Sequence, residues 1–293
     1  MKLIDGRAVA EEIKSSLKIE LFELTQNNQR IPTLAAILVG DNPASKAYVN
    51  NKVKTCKEIG FNSLLVKLPS DISEADLLKE VERLNNNAEV DGFIVQLPLP
   101  KHIDEVKVTL AIDPKKDVDG FHPINFGRMA QGLPCYLPAT PYGITLLLKR
   151  YNIETAGKHV VVVGRSNIVG TPISILLSRK TEVGDATVTL AHSRTKNLHE
   201  ITLQADILIA AIGIPGFITE DMVKEGAVVV DVGINRVEDD ENTGKSKLVG
   251  DVDFDGIKNK SSYITPVPGG VGPMTVMGLI MNTLKAAKKE IYP

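Results

Sequence analysis

The chain has 293 residues, enough for about two domains of ~150 residues that each hold their own core. Hydrophobic residues make up 43% and charged residues 24%, which excludes wholesale disorder. A balance of 34 Lys plus Arg against 36 Asp plus Glu leaves a net charge of −2, too weak a field for nucleic acid or an anionic membrane, so small-molecule partners are expected. The two cysteines, Cys56 and Cys135, lie in unrelated segments and form neither a CxxC pair nor a disulfide framework. With no signal-like N-terminus and no 18-residue apolar run, a cytoplasmic protein is expected.

Residues 7–28 carry apolar side chains at helical spacing (Val9, Ile13, Leu17, Leu21, Leu24), and Pro32 to Val39 is a short apolar run, so a helix precedes a strand. Asp41-Asn42-Pro43-Ala44-Ser45 opens a second helix that Gly60 closes. A strand over Leu64 to Leu68, a helix from Ser73 to Asn85 and a buried strand from Gly92 to Leu97 complete a βαβαβ rhythm. From Lys101 to Pro141 the chain is rich in Pro, Gly and Asp without a clean period and is expected to be site-building loop rather than core. Pro141 to Tyr151 reads as a helix, Lys158 to Gly164 as a Val-rich strand, and Ile168 to Ser178 as the helix that follows it. Strands recur at Thr187 to Ala191, Ile207 to Ala211 and Ala227 to Val232, the rhythm of a doubly wound parallel sheet. Glu238 to Lys247 is expected to be an exposed loop, and Met274 to Lys289 a final amphipathic helix.

The strand His159 to Val163 runs into Gly164-Arg165-Ser166-Asn167-Ile168-Val169-Gly170, glycines at a strand-to-helix turn where a backbone can approach a pyrophosphate and the helix N-terminus meets it. The match to G-x-G-x-x-G is imperfect, since Ser166 stands at the middle glycine and an extra residue precedes Gly170; an ordinary βα turn would fit as well. The next strand ends in His192-Ser193-Arg194, 29 residues past Gly164, where an NAD enzyme tends to carry an acid for the ribose 2′-hydroxyl. Here Ser193, Arg194 and Arg165 offer donors and positive charge instead, which suits the 2′-phosphate of NADP.

On the second helix Tyr48, Lys52 and Cys56 are spaced four apart and share a face. Gln96 interrupts a hydrophobic strand at its carboxyl end, just before Leu97-Pro98-Leu99-Pro100, where ligands of open α/β sheets gather. Asp117-Val118-Asp119-Gly120 puts a carboxylate in a tight loop. A solvated helix stripe, a satisfied buried amide and plain turn chemistry are the alternative readings of these three features.

Taken together with Ser45 to Lys52, Val95 to Pro100, Gly164-Arg165-Ser166 and Pro266-Val267-Pro268-Gly269-Gly270-Val271-Gly272-Pro273-Met274-Thr275, these residues resemble the bifunctional methylenetetrahydrofolate dehydrogenase/methenyltetrahydrofolate cyclohydrolase family, nearly end to end. The resemblance implies a two-domain α/β fold, a Rossmann-type doubly wound parallel sheet plus an α/β catalytic domain with a cleft between them. It implies a discontinuous folate-binding domain of residues 1–140 and 275–293, and an NADP-binding domain of residues 141–274. It also implies NADP-dependent oxidation of 5,10-methylenetetrahydrofolate and hydrolysis of the methenyl product to 10-formyltetrahydrofolate, with no metal required. In that reading Lys52 serves hydrolysis, Tyr48 packs on the pterin, Gln96 bonds Lys52, and Asp119 binds the pterin. Leu97, Pro268, Gly269 and Gly270 line the folate. Gly164, Arg165, Ser166, Val169, Gly170, Ser193, Arg194, Gly213, Ile234 and Thr275 hold the cofactor. A homodimer is expected from the family alone, and a part in purine biosynthesis goes with that resemblance. The rival expectation is an NADP-dependent dehydrogenase of another small substrate, of shikimate type.

Overall fold

The structure is a computed structural model that describes residues 1–238 and 246–292. Chain contacts divide it into two units, one of residues 1–11 with 140–275 and one of residues 12–139 with those from 276 onward. The divisions fall inside the first and last helices, so both are considered with the unit that holds most of their length. After a two-residue strand, β1 (Lys2–Leu3), comes helix α1 (Gly6–Gln26).

The 12–139 unit is built on a parallel three-stranded sheet in the order β3 (Asn62–Leu68), β2 (Thr33–Val39), β4 (Gly92–Val95). β2 is central, which is why it is an unbroken apolar run, buried from Leu34 to Val39. Helix α2 (Pro43–Ile59) starts where the Asn42 side chain accepts from the Ala44 and Ser45 amides, and ends at Gly60 in the left-handed region (φ 104°). Ser73 caps α3 (Glu74–Asn85), whose Leu77, Val81 and Leu84 pack with Ile37, Phe93 and Val95 in the core.

The segment 101–141 departs from the expected loop. It contains α4 (Glu105–Ala111) and α5 (Pro123–Gln131), and it contributes Val108, Val118, Met129 and Tyr136 to the interior. Helices of 7 and 9 residues bury about one side chain per turn, too few to register as a period. Their starts were nonetheless written in the sequence: Asp104 accepts from Val106 and Lys107 amides, and His122 Nδ1 from the Ile124 amide.

The other unit contains α6 (Ala139–Arg150), β5 (His159–Val163), α7 (Gly170–Ser178), β6 (Thr187–Ala191), α8 (Leu198–Thr202) and β7 (Ile207–Ala210). It continues with β8 (Val228–Asp231), β9 (Asn235–Glu238), β10 (Ser246–Val249), α9 (Phe254–Ile257), β11 (Tyr263–Ile264) and the start of α10 (Val271–Ala287). Six strands form a parallel sheet in the order β1-β11-β8-β7-β5-β6, with β5 the point from which the connections wind in opposite directions. Residues 1–11 belong to this unit and not, as expected, with the rest of 1–140, because β1 pairs with β11 (Lys2↔Tyr263, Leu3↔Ile264). A two-residue strand carries no alternation to read. The expected loop at Glu238 to Lys247 is corrected at its flanks, where β9 and β10 pair antiparallel; residues 239–245 lie outside the described residues. Among the described residues no helix is long and apolar enough to cross a membrane.

Candidate active site

Along one face of α2 the exposure falls from 38% at Tyr48 to 8% at Lys52 and 0% at Cys56, so the face runs from solvent into the core with the amine at its threshold. Burial pushes the Cys56 thiol up to about 12 and holds it inert. Lys52 Nζ donates to Gln96 Oε1 at 3.1 Å. An amine on lysine only donates when charged, so the amide oxygen must face it, and Gln96 Nε2 correspondingly donates to the Leu97 carbonyl at 2.7 Å. The Gln96 backbone amide bonds the Ile37 carbonyl, extending the β4 ladder by one residue and fixing where the side chain begins.

Burial draws the Lys52 pKa below the usual lysine value, and the Asp119 carboxylate partly opposes that by favouring the ammonium. Asp119 is in turn raised by burial and lowered by Lys52. Tyr48 is raised by burial and stays a neutral phenol.

The two carboxylates of the Asp117 to Gly120 loop have different work. Asp117, 1% exposed, accepts from the Phe121 amide (3.2 Å), the His122 amide (2.8 Å) and Asn125 Nδ2 (2.9 Å), and burial raises it to about 7. It pins the loop. Gly120 is left-handed (φ 75°), and a Cβ there would lie 2.6 Å from the Leu137 carbonyl carbon. From α10, Asn282 Nδ2 donates to the Val118 and Leu137 carbonyls at 2.9 and 2.8 Å. Asn125 and Asn282 were missed by sequence reasoning, and only their polarity within apolar surroundings could have flagged them; Asp117 was read within the Asp117 to Gly120 motif, and its part there is the turn chemistry.

In the other unit, β5 and β6 pair with Val163 opposite Ala191, so Arg165 and Ser193, each two residues further on, leave adjacent strand ends at the same level. Arg165, Ser166, Ser193 and Arg194 are exposed, and neither guanidinium is in an ion pair among the described residues. Gly164 (φ 121°) has no room for a side chain, since a Cβ would lie 2.0 Å from the Ala211 carbonyl oxygen; at Gly170 it would lie 1.9 Å from the Gly164 oxygen. The first turn of α7 is thereby drawn onto the strand end. Val169 precedes that helix without a side-chain cap, and the Ser166 hydroxyl accepts from the Val169 and Gly170 amides instead. The glycine turn, unpaired guanidinium groups and helix N-terminus fit a dinucleotide phosphate.

Gly213 (φ 78°) follows β7 with open space where a Cβ would stand. Ile234 is 42% exposed, and Gly272 lies beside it. In the Pro266 to Thr275 segment Pro268 is exposed, Gly269 and Gly270 are buried, and the Thr275 and Thr140 hydroxyls are 2.9 Å apart. Tyr48, Lys52, Gln96, Leu97 and Asp119 thus belong to one unit, while Pro268, Gly269, Gly270 and the cofactor candidates belong to the other.

Family models match in both parts: the catalytic domain of tetrahydrofolate dehydrogenase/cyclohydrolase over residues 4–119, and its NAD(P)-binding domain over residues 138–291. The bifunctional protein FolD of Cytophaga hutchinsonii is 61% identical over 287 residues, 98% of this chain and 99% of that protein. The FolD methylenetetrahydrofolate dehydrogenase/cyclohydrolase structure from Campylobacter jejuni is 48% identical with a TM-score of 0.92, covering 99% of both chains. The Trypanosoma brucei enzyme, complexed with NADP cofactor and inhibitor, is 39% identical with a TM-score of 0.92, covering 99% of this chain and 98% of that one. A shikimate dehydrogenase from Aquifex aeolicus, 14% identical with a TM-score of 0.50 over 90% of this chain and 94% of that one, shares the fold alone. With the Lys52–Gln96 pair in one unit, the glycine turn in the other and both family domains matched in order, the chain belongs to the tetrahydrofolate dehydrogenase/cyclohydrolase family.

Proposed function

We propose that Lys52, oriented by Gln96 and flanked by Asp119 and Tyr48, carries the hydrolytic step of a bifunctional enzyme. The enzyme oxidises 5,10-methylenetetrahydrofolate with NADP and hydrolyses 5,10-methenyltetrahydrofolate to 10-formyltetrahydrofolate, two steps of one-carbon metabolism. The observation that carries the assignment is the hydrogen bond from a nearly buried lysine amine to Gln96, beside a carboxylate.

NADP when bound supplies the acceptor for the hydride that leaves the folate methylene carbon. The protein's part in that step is positioning and exclusion of water: Asp119 accepts from the pterin N–H groups, and Tyr48 packs against the ring. Leu97, in the same unit, adds an apolar folate contact. Gly164, Ser166, Val169 and Gly170 receive the pyrophosphate, Arg165, Ser193 and Arg194 the 2′-phosphate, and Gly213, Ile234 and Thr275 the nicotinamide end. Hydrolysis adds water to the cationic methenyl carbon, and the water gives up a proton as its oxygen bonds carbon. A neutral Lys52 amine accepts that proton; the adduct's hydroxyl then loses its proton as the C–N5 bond breaks and N5 takes one up, so the formyl group stays on N10 and one proton is released overall. Burial and the positive charge of the substrate both favour the neutral amine. The reading extends, as an expectation carried by the family resemblance, to a cytoplasmic homodimer that supplies purine biosynthesis.

The test is to assay both reactions on folded Lys52→Met at saturating NADP. Hydrolysis should fall by about 10²–10⁴, the usual range for losing a general base, with a much smaller loss of dehydrogenation. Full methenyl hydrolysis by the variant would leave Lys52 a helix-face lysine only.

A further inference from the structure

We propose that Asp251 is a positioning residue for the NADP site: its buried carboxylate holds the loops that leave the carboxyl ends of β7 and β8 in the shape that receives the nicotinamide end of the cofactor. The inference rests on the reading of Gly213 and Ile234 as cofactor contacts.

Asp251 is fully buried and lies beyond β10, where the sequence offers only Gly250-Asp251-Val252-Asp253. One oxygen, Oδ2, accepts from the Ile212 amide at 2.6 Å and the Gly213 amide at 2.9 Å. The other, Oδ1, accepts from Asn235 Nδ2 at 2.9 Å. A single carboxylate therefore ties the loop after β7 to Asn235, the first residue of β9, where the loop after β8 ends. Its own backbone is fixed by a second buried carboxylate: Asp231 Oδ1 accepts from the Asp251 amide and from the Gly233 amide, both at 2.9 Å, and Oδ2 from the Val252 amide at 3.0 Å.

The glycines show that the chain is shaped around these two groups. A Cβ on Gly233 would lie 2.2 Å from Asp251 Oδ1, and one on Gly250 would lie 1.7 Å from Asp231 Oδ2. Neither carboxylate has a cationic partner among the described residues, so the charge is answered only by neutral N–H donors. Burying a carboxylate this way is unfavourable unless fully hydrogen-bonded, and a mere spacer would be served as well by an apolar side chain. What an apolar side chain could not do is accept two successive amides while Gly213 stays left-handed (φ 78°) beside open space. That loop also touches the pyrophosphate turn, since the Ala211 carbonyl is what excludes a side chain from Gly164. Ligands of open α/β sheets sit at this edge, beyond the strand ends where the winding reverses.

The enzyme's two reactions give an internal control, because methenyl hydrolysis can be measured without NADP. Asp251→Ala should raise the KM for NADP at least tenfold while NADP-free hydrolysis stays within about twofold. Asp251→Asn keeps the volume and one carbonyl oxygen and should raise it about threefold; it stands as the test should Asp251→Ala fail to fold. Val252→Ala, a core truncation next door, controls for stability: it should lower the thermal midpoint and leave the NADP KM alone. An unchanged NADP KM in folded Asp251→Asn, an equal loss of both reactions, or the same KM rise in Val252→Ala would each overturn the proposal. Arg165→Ala in the same assay separates the two levels. If it weakens NADP while the Asp251 variants do not, this inference alone fails; if it too leaves NADP untouched, the cofactor-site reading fails with it.

Discussion

At the scale of single residues, function rests on side chains whose surroundings shift their protonation. Lys52 was legible as a chemical residue type on a helix face with Tyr48, but its burial, which lowers its pKa, is a tertiary fact that spacing does not carry. Gln96 was legible because an amide ending the apolar Gly92 to Val95 run is out of place; that its oxygen faces Lys52 was not. The pH dependence follows from the sign of the shift. Since the neutral amine is the active form, hydrolysis should rise with pH through the lowered pKa of Lys52 and level off below the ordinary lysine value of 10.5. Asp119 is the charge that favours the ammonium, so Asp119→Asn should move that midpoint to lower pH. The same variant should weaken folate binding in both reactions and leave NADP affinity within about twofold, since Asp119 is read as a folate ligand alone. Rates measured against pH at saturating folate check both halves; a midpoint that stays put would separate Asp119 from Lys52, and unchanged folate kinetics would remove it from the site.

At the scale of elements, fully apolar strands and helices with a long period were legible, while most short elements of mixed or polar pattern were not. β2 and α2 announced themselves by an apolar run and by Asn42-Pro43, and even four-residue β4 and β7 by being wholly apolar and buried, whereas α4, α5, β1 and β9 combine short length with too few buried apolar residues to separate from loop. The β5–α7 turn was legible through its glycines even though the usual middle glycine is Ser166. The structure supplies the reason the spacing works: Gly170 lies against the Gly164 carbonyl, where a Cβ would be 1.9 Å from oxygen and 2.5 Å from carbon. Both atoms are backbone and cannot swing aside. Gly170→Ala should therefore lever α7 off the strand end, destabilise the fold by about 1–3 kcal/mol as overpacking does, and weaken NADP binding by displacing the helix N-terminus. Urea unfolding with a parallel NADP titration checks this. Parent-like stability and affinity would mean that the turn relaxes freely and that the close approach does not shape the site.

At the scale of the whole molecule, length alone gave two domains, but their membership was legible only in part: residues 1–11 join the six-stranded sheet through β1, which no pattern in Met1 to Gly6 foretells. Each unit also hides a carboxylate that composition does not reveal, Asp117 in one and Asp231 in the other. Burial raises them to about 7 and about 6, against the hydrogen bonds each accepts from amide groups. A raised carboxylate means that the native state binds its proton more tightly than the unfolded chain, whose Asp titrates near 3.8. The stability this contributes is fully present below about 3.8 and is lost as pH rises through about 6 for Asp231 and about 7 for Asp117. The carboxylates shifted the other way, such as Asp76 and Asp221, are solvent-exposed ion-pair members whose screened partners offset little of this. Asp117→Asn removes the ionisation while keeping the shape. It loses one acceptor for the Phe121, His122 and Asn125 donors, which adds an offset that does not vary with pH. The stability of Asp117→Asn relative to the parent should therefore improve between pH 4 and pH 8 by on the order of a few kcal/mol at most, bending near 7. Asp231→Asn should show the same slope bending near 6. Chemical denaturation at a series of pH values, read as the difference between each variant and the parent, makes the offset and the slope separable. A difference that is flat from pH 4 to pH 8 would show that neither carboxylate titrates in the native protein across that range.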